Sequence, residues 1–362
     1  MTKTLKMVVV GGGNGSFAAV ADAVEAGHDV RWWRRSMESF GEVAARQAIT
    51  VIDHAGTRQL AVAPTDDLAA ALDGADLILA PIPAFGQQEL AQALAPHLTD
   101  GQVIYLPPGT FGCYLMMRTL RDAGCRADVA IAETGTLPWL CRKQGDDAVR
   151  ITTRASRLPT GVLPARLSEH ALEVISAAFP GAIEPVEDAL SAALMNAGPI
   201  IHPPLILMNA GPIQHFDRWD IHNEGTQPAI RAVQDALDAE RIAVREALGY
   251  GAPHFPLADH YNTSNWMYGN LAHDKLVGSG DWHESLDLHD HRYMTEDIGQ
   301  GLAFLVSVAD WTGVPCPVAR GLLSIAAAVT GRDLIAEGRT LDRLGLAALD
   351  RSAVQDRLQR GI

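Results

Sequence analysis

The segment Gly11-Gly12-Gly13-Asn14-Gly15-Ser16, entered directly from the apolar run Met7-Val8-Val9-Val10, constrains this chain more than any other feature. A short continuous run rich in β-branched residues is what a strand buried on both faces requires. Glycines at its carboxyl end let backbone N–H groups approach a pyrophosphate, and the N-terminus of a following helix adds favourable partial charge. The spacing predicts that helix over residues 17–26, stopped by Gly27, and a second strand over residues 28–33. Strand, turn, helix, stop and strand in this order give a G-x-G-x-x-G-like pattern its meaning. Gly11, Gly13, Asn14, Gly15 and Ser16 are therefore expected at a dinucleotide.

The end of the second strand bears on which dinucleotide. Folds that select NAD place Asp or Glu about 20 residues past the glycines, on the ribose 2′-hydroxyl. This chain reads Val30-Arg31-Trp32-Trp33-Arg34-Arg35-Ser36, with no acid there. Guanidinium groups bind a 2′-phosphate bidentately, and a serine hydroxyl adds a hydrogen bond. Arg34, Arg35 and Ser36 thus predict a preference for NADP(H), with NAD(H) possible. The alternative is that the two arginines are solvated surface charges, or that Arg34 stacks on adenine.

At 362 residues the chain is long enough for two domains. Its 48% hydrophobic and 20% charged residues describe a globular protein without low-complexity tracts. A formal net charge of −14 argues against nucleic acid or an acidic membrane as partner. It also means that an anionic cofactor must be held by local groups. The first strand begins almost at once, and no apolar run of membrane-spanning length is expected. Cys113, Cys125, Cys141 and Cys316 lack a C-x-x-C pair and read as reduced thiols of a cytoplasmic protein.

Strand and helix signals alternate up to about residue 186. Apolar runs at residues 76–80, 102–106 and 128–132 end in Pro81-Ile82-Pro83, Pro107-Pro108-Gly109-Thr110 and Glu133-Thr134-Gly135-Thr136, and residues 149–153 suggest an edge strand. Alternation of this kind indicates a mainly parallel sheet with ligands beyond the carboxyl ends of its strands, so Pro83 is a candidate cofactor wall. From residue 187 the pattern turns helical: residues 228–248, 297–312 and 317–330 carry helical spacing with Pro starts or Gly stops. The expected fold is α/β: a Rossmann-type domain over residues 1–186, then an all-α domain over 187–362, with substrate in the cleft between them.

A dinucleotide site leaves the reaction open. Hydride transfer to C=O or C=N needs a proton donor, and His202 stands alone in the apolar stretch Asn196-Ala197-Gly198-Pro199-Ile200-Ile201-His202-Pro203-Pro204. A histidine in such a setting is also a common core residue. A second polar cluster follows at residues 289–297, where Asp297 can orient a histidine and Arg292 can clamp a carboxylate. Asp297 can equally be a helix N-cap or first-turn acid. The spacing of His283, His289, His291 and Asp290 matches no metal-ligand pattern, so no metal is expected. Acids in residues 215–224 and the aromatic-polar stretch 254–268 are candidate linings for an amine pocket.

Taken together, Gly11-Gly12-Gly13-Asn14-Gly15, Glu133-Thr134, Asn196 through His202-Pro203, Asp238-Ala239-Glu240-Arg241, Arg292-Tyr293 with Glu296-Asp297, and Glu337-Gly338-Arg339-Thr340-Leu341 make the chain resemble the opine dehydrogenases over nearly its whole length. Members of that family condense an α-amino acid with a 2-oxo acid and reduce the C=N bond with NAD(P)H. The resemblance implies that His202 is the catalytic acid/base and Asp297 its partner, with Arg292, Thr134 and Asn196 near substrate. The sequence departs from the family pattern at Ser16, at Pro107-Pro108-Gly109 and at Arg34. Two other readings stand beside this one: a 2-oxo acid or ketone reductase similar to ketopantoate reductase, and a non-catalytic NADP sensor. A homodimer is expected from apolar faces in the helical domain.

Overall fold

The computed structural model describes residues 3–262, 265–269 and 271–362, apart from the Asn262 side chain. The chain forms two compact units, Met1–Ala193 with Gln355–Ile362, and Leu194–Val354. The sequence reading divided it at 186/187 and gave the entire remainder to the second domain. The C-terminus instead returns to the first unit, where Leu358 is buried and Arg357 Nη1 donates to the Tyr114 hydroxyl at 2.9 Å.

In chain order the strands are β1 (Lys6–Val10), β2 (Asp29–Trp33), β3 (Ala48–Asp53), β4 (Gly56–Ala61), β5 (Pro64–Thr65), β6 (Leu77–Leu79), β7 (Val103–Leu106), β8 (Ala130–Thr134), β9 (Trp139–Lys143), β10 (Ala148–Arg154), β11 (Leu158–Leu163) and β12 (Ile183–Pro185). The main sheet runs β12-β11-β8-β7-β6-β1-β2-β5. Neighbours are parallel except β8 and β11. Strand order reverses beside β1, with β2 on one side and β6 on the other, and such a switch point opens a ligand crevice at the carboxyl ends. The glycine turn and Pro83 lie at those ends.

Trp32 of β2 is the hub of this unit's core. It is fully buried and meets Phe17 and Phe40 edge-on at 4.8 and 5.2 Å. Each such pair contributes about 0.5–1.5 kcal/mol beyond area burial. Its indole N–H also donates to the Gly11 carbonyl at 2.6 Å, which fixes the glycine turn to the core.

A second sheet, ordered β4-β3-β10-β9, was not foreseen. The strand expected at an edge, β10, lies inside it between its hairpin partner β9 and β3, which comes from about 100 residues away in the chain. This sheet is fastened to the first helix (Asn14–Glu25) by side chains. Trp139 Nε1 donates to Asp22 at 2.6 Å, and Arg154 binds Asp22 at 2.7 Å and Asp53 at 2.9 Å. Arg58 joins Asp53 at 2.8 Å to Glu25.

The regular secondary structure among the described residues of the second unit is helical, apart from an isolated bridge between Trp219 and Glu284. The expected 228–248 helix is Pro228–Ala247, and the 317–330 helix is Pro317–Thr330, with Pro at its start and Gly331 in the left-handed region after it. The expected helix over 297–312 differs in kind: Tyr293–Leu302 is π-helical and only Ala303–Thr312 is α-helical. The expectation of no membrane-length apolar run also needs correction. Ala189–Met208 is long and apolar enough by composition, with mean hydropathy 1.3, yet 78% of it is buried, as in a core helix.

Asp53 carries a testable consequence. Hydrogen bonds from Arg58, with Ala55 N–H and Arg154 behind, hold its carboxyl well below the usual range although burial opposes this. A carboxylate depressed in the folded state stabilises fully above its unfolded pKa, about 4, and loses that contribution as pH falls below it. Asp53→Asn should cost about 1–3 kcal/mol near neutral pH, because Arg58 and Arg154 each lose one of two carboxylate partners. The gap between the thermal melts of the two proteins should narrow progressively as pH falls further below about 4; a gap unchanged from neutral to acid would contradict the assignment.

Candidate active site

The glycine turn fits a dinucleotide phosphate on its own geometry. Gly11 has φ +95°, a conformation that a side chain resists, and Gly13 starts the first helix with no acid in the first turn. A Cβ added at Gly13 would meet nothing within 4 Å, so this face of the turn is open. At Gly15 it would strike Leu137 at 2.7 Å, and at Gly12 it would overlap the Arg34 guanidinium at 2.0 Å. Ser16 and Asn14 do structural work here: Ser16 is buried with its hydroxyl on the Val10 carbonyl at 2.9 Å, and Asn14 Oδ1 accepts from Lys143 N at 2.9 Å. The small side chain at 16 therefore sets helix–strand packing within the turn.

Next to the turn, a cavity of about 430 Å³ is lined by Gly11, Arg34, Arg35, Ser36, Pro83 and Phe85 among others. That volume falls within the range of small-molecule sites. Phe85, 70% exposed at its wall, was missed by sequence reasoning; a phenyl ring just beyond Pro81-Ile82-Pro83 was the available signal. The two arginines differ. Arg34 lies over Gly12, packs its guanidinium 5.0 Å from the Phe40 ring centroid and donates to the Ser39 carbonyl. Burial lowers its pKa. Arg35 is exposed and paired with Glu89.

At the end of β7 the loop is strained. Thr110 and Phe111 have φ of 57° and 60°, unusual for residues with side chains. Fully buried Glu133 holds this loop, accepting from Phe111 N at 2.7 Å and Cys113 N at 3.0 Å. Its neighbour Thr134, expected near substrate, is itself fully buried in the interior of the first unit.

In the second unit the candidate acid/base pair is assembled. His202 sits on the helix Gly198–Met208, whose start is capped by Asn196 Oδ1 accepting from Gly198 N at 3.1 Å. Asn196 is buried, so the structure gives it a part in holding the His202 helix. His202 Nδ1 lies 3.0 Å from Asp297 Oδ2, with the two side chains 19% and 8% exposed. A carboxylate at that distance holds the proton on Nδ1 and leaves Nε2 to exchange protons. Asp297 lies inside the π-helix, well past its N-cap Arg292, so the capping alternative does not apply. π-Helical turns occur often at functional sites.

Close approach of these two helices depends on glycine. A Cβ on Gly198 would lie 2.1 Å from Asp297 Oδ1, and one on Gly301 would lie 2.1 Å from Pro199. Tyr293 stacks on the His202 ring at 3.8 Å with planes 13° apart, and His222 meets it edge-on at 5.6 Å. Sequence reasoning missed both; the position of Tyr293, four residues before Asp297, was the usable signal. Arg292 is half-exposed and paired with Glu296 at 2.9 Å. Among the amine-pocket candidates, Asp220 is buried in its own turn, bound by His222 N at 2.8 Å and Asn223 N at 3.1 Å. Of the stretch 254–268, Thr263 and Ser264 lie outside the described residues.

A dinucleotide turn in a parallel sheet, together with a histidine–carboxylate pair in a helical unit, defines an NAD(P)-dependent oxidoreductase. Residues 185–330 match the family model "NAD/NADP octopine/nopaline dehydrogenase, alpha-helical domain". The opine dehydrogenase of Arthrobacter sp. (strain 1C) is 28% identical over 370 residues, covering 99% of this chain and all of that protein. An octopine dehydrogenase solved with NADH and agmatine superposes with a TM-score of 0.74 at 20% identity, covering 97% of this chain and 98% of that one. A yersinopine dehydrogenase with NADP+ bound gives 0.68 at 16% identity, covering 100% and 99%. Over nearly its whole length the chain is thus similar to opine dehydrogenases.

Gly198→Ala should displace the Asp297 carboxylate and lower kcat by roughly 10²-fold. NADPH affinity, measured by fluorescence titration, should stay unchanged because the turn that binds it lies in the other unit. A kcat within about twofold of wild type would contradict the close-packing argument.

Proposed function

We propose that this chain is an opine-type dehydrogenase that condenses an amino acid or amine with a 2-oxo acid and reduces the resulting C=N bond to a secondary amine. The observation that carries this reading is the 3.0 Å contact between His202 Nδ1 and Asp297 Oδ2 in a partly buried site. The turn at Gly11–Gly15, Arg34 and Pro83 would hold the reduced dinucleotide, which supplies a hydride to the imine carbon. His202, protonated on both nitrogens, gives the Nε2 proton to the substrate nitrogen, and Asp297 stabilises the imidazolium before that transfer. In the reverse direction Nε2 takes the proton back. Arg292, half-exposed beside Glu296, has N–H groups available for a substrate carboxylate. Octopine dehydrogenases have been solved with pyruvate and with L-arginine, which supports an oxo acid and an amino compound as the reactants here.

The proposal includes a preference for NADP(H). Its support is the lack of any acid at residues 34–36 and the Arg34 guanidinium lying over Gly12. A cytoplasmic homodimer completes the reading, supported by four buried free cysteines and by Ile325 and Ile335, both about half-exposed on the helical unit.

With pyruvate, a panel of amino acids and NADPH, loss of nicotinamide absorbance should require both the oxo acid and an amine. His202→Ala should lower turnover by roughly 10²–10⁴. Consumption of NADPH with oxo acid alone would point to a ketone reductase, and unchanged behaviour of His202→Ala would favour a sensor.

A further inference from the structure

The second sheet ends at the cofactor turn, and this gives Lys143 a role that the sequence reading assigned to Arg35. The last residue of β9, Lys143, places its backbone N–H on Asn14 Oδ1 at 2.9 Å, at the start of the first helix. Its ammonium stands 4.6 Å from the Phe17 ring centroid. Phe17 packs edge-on against Trp32, and Trp32 against Phe40, which carries the Arg34 guanidinium on its face. The two cations therefore sit on the outer rings of one three-ring cluster, Arg34 over Gly12 and Lys143 by the helix start.

Neither cation has an acidic partner. Among the described residues no carboxylate lies within ion-pair distance of Arg34 or Lys143, in a chain whose net charge is −14. Three other arginines of the same unit do have one: Arg35 has Glu89, Arg58 has Asp53 and Glu25, Arg154 has Asp22 and Asp53. Burial and then the Arg34 charge push the Lys143 ammonium below its ordinary pKa, while Asp146 partly offsets this. Two partly buried like charges side by side are unfavourable alone and become favourable around a dianion.

We propose that Lys143 and Arg34 together bind the 2′-phosphate of NADP(H), with Lys143 as the second cation in place of Arg35. The inference rests on the NADP reading above and goes further by naming a residue on the other sheet. An ammonium on a flexible stem adapts to a phosphate as a point charge, while the Arg34 fork gives direction.

Calorimetric titration with adenosine 2′,5′-bisphosphate and with AMP isolates that phosphate. The wild-type protein should bind the bisphosphate more tightly. Lys143→Met should weaken the bisphosphate by about tenfold or more and leave AMP unchanged, and Lys143→Arg should restore most of the loss. Retained AMP binding shows that the variant is folded. Equal weakening of both ligands, or weakening of neither while the wild type keeps its preference, would overturn the role of Lys143 alone. A wild-type protein that binds the two ligands equally would overturn the NADP reading and this inference with it.

Discussion

The hydrogen bond between His202 and Asp297 sets requirements that much of the helical unit satisfies. The carboxylate reaches Nδ1 at 3.0 Å only because Gly198 leaves room for its other oxygen. Gly301 lets the π-helix lie against Pro199 in the same way. Asn196 caps the start of the His202 helix, and Tyr293 supports the flat face of the imidazole. The π-helical turn brings Tyr293 and Asp297 to one ring from a single segment. Each of these residues restricts the histidine in a different direction. Together they define one orientation and one protonated nitrogen, which is what a proton donor needs before any substrate arrives.

The first unit handles charge in a complementary way. Two of its arginines, Arg58 and Arg154, are consumed in binding the second sheet to the first helix, through Asp22, Asp53 and Glu25. Trp32 links that packing to the glycine turn through one hydrogen bond to Gly11. In a chain with excess negative charge, a phosphate-rich ligand needs positive groups withheld from such pairing. The region around Gly12 is where the structure withholds them.

What could be read from residues alone follows the range of the interactions. The β1–turn–helix–β2 segment was legible because its strand, glycines and stop are contiguous, and helix Pro317–Thr330 because Pro and Gly mark its two ends. The histidine and its carboxylate were legible as residue types, and their pairing through the need of a catalytic base for an orienting acid, which the resemblance supported. The second sheet was not, since β3 and β10 pair across about 100 residues with no local turn to announce them. Nor was the π-helix, because a shift from i→i+4 to i→i+5 bonding leaves no periodic mark in ten residues. Arg35 illustrates the same limit: its competitor Glu89 lies far away in sequence.

The central claim is that Asp297 keeps the proton on His202 Nδ1, so that Nε2 alone exchanges it. Nitrogen-15 NMR of the neutral imidazole reads this directly. The account predicts that Nδ1 has the chemical shift of a protonated nitrogen and Nε2 that of a bare one, and that Asp297→Asn abolishes this asymmetry. A neutral His202 carrying its proton on Nε2, or an even mixture of the two tautomers, would contradict it.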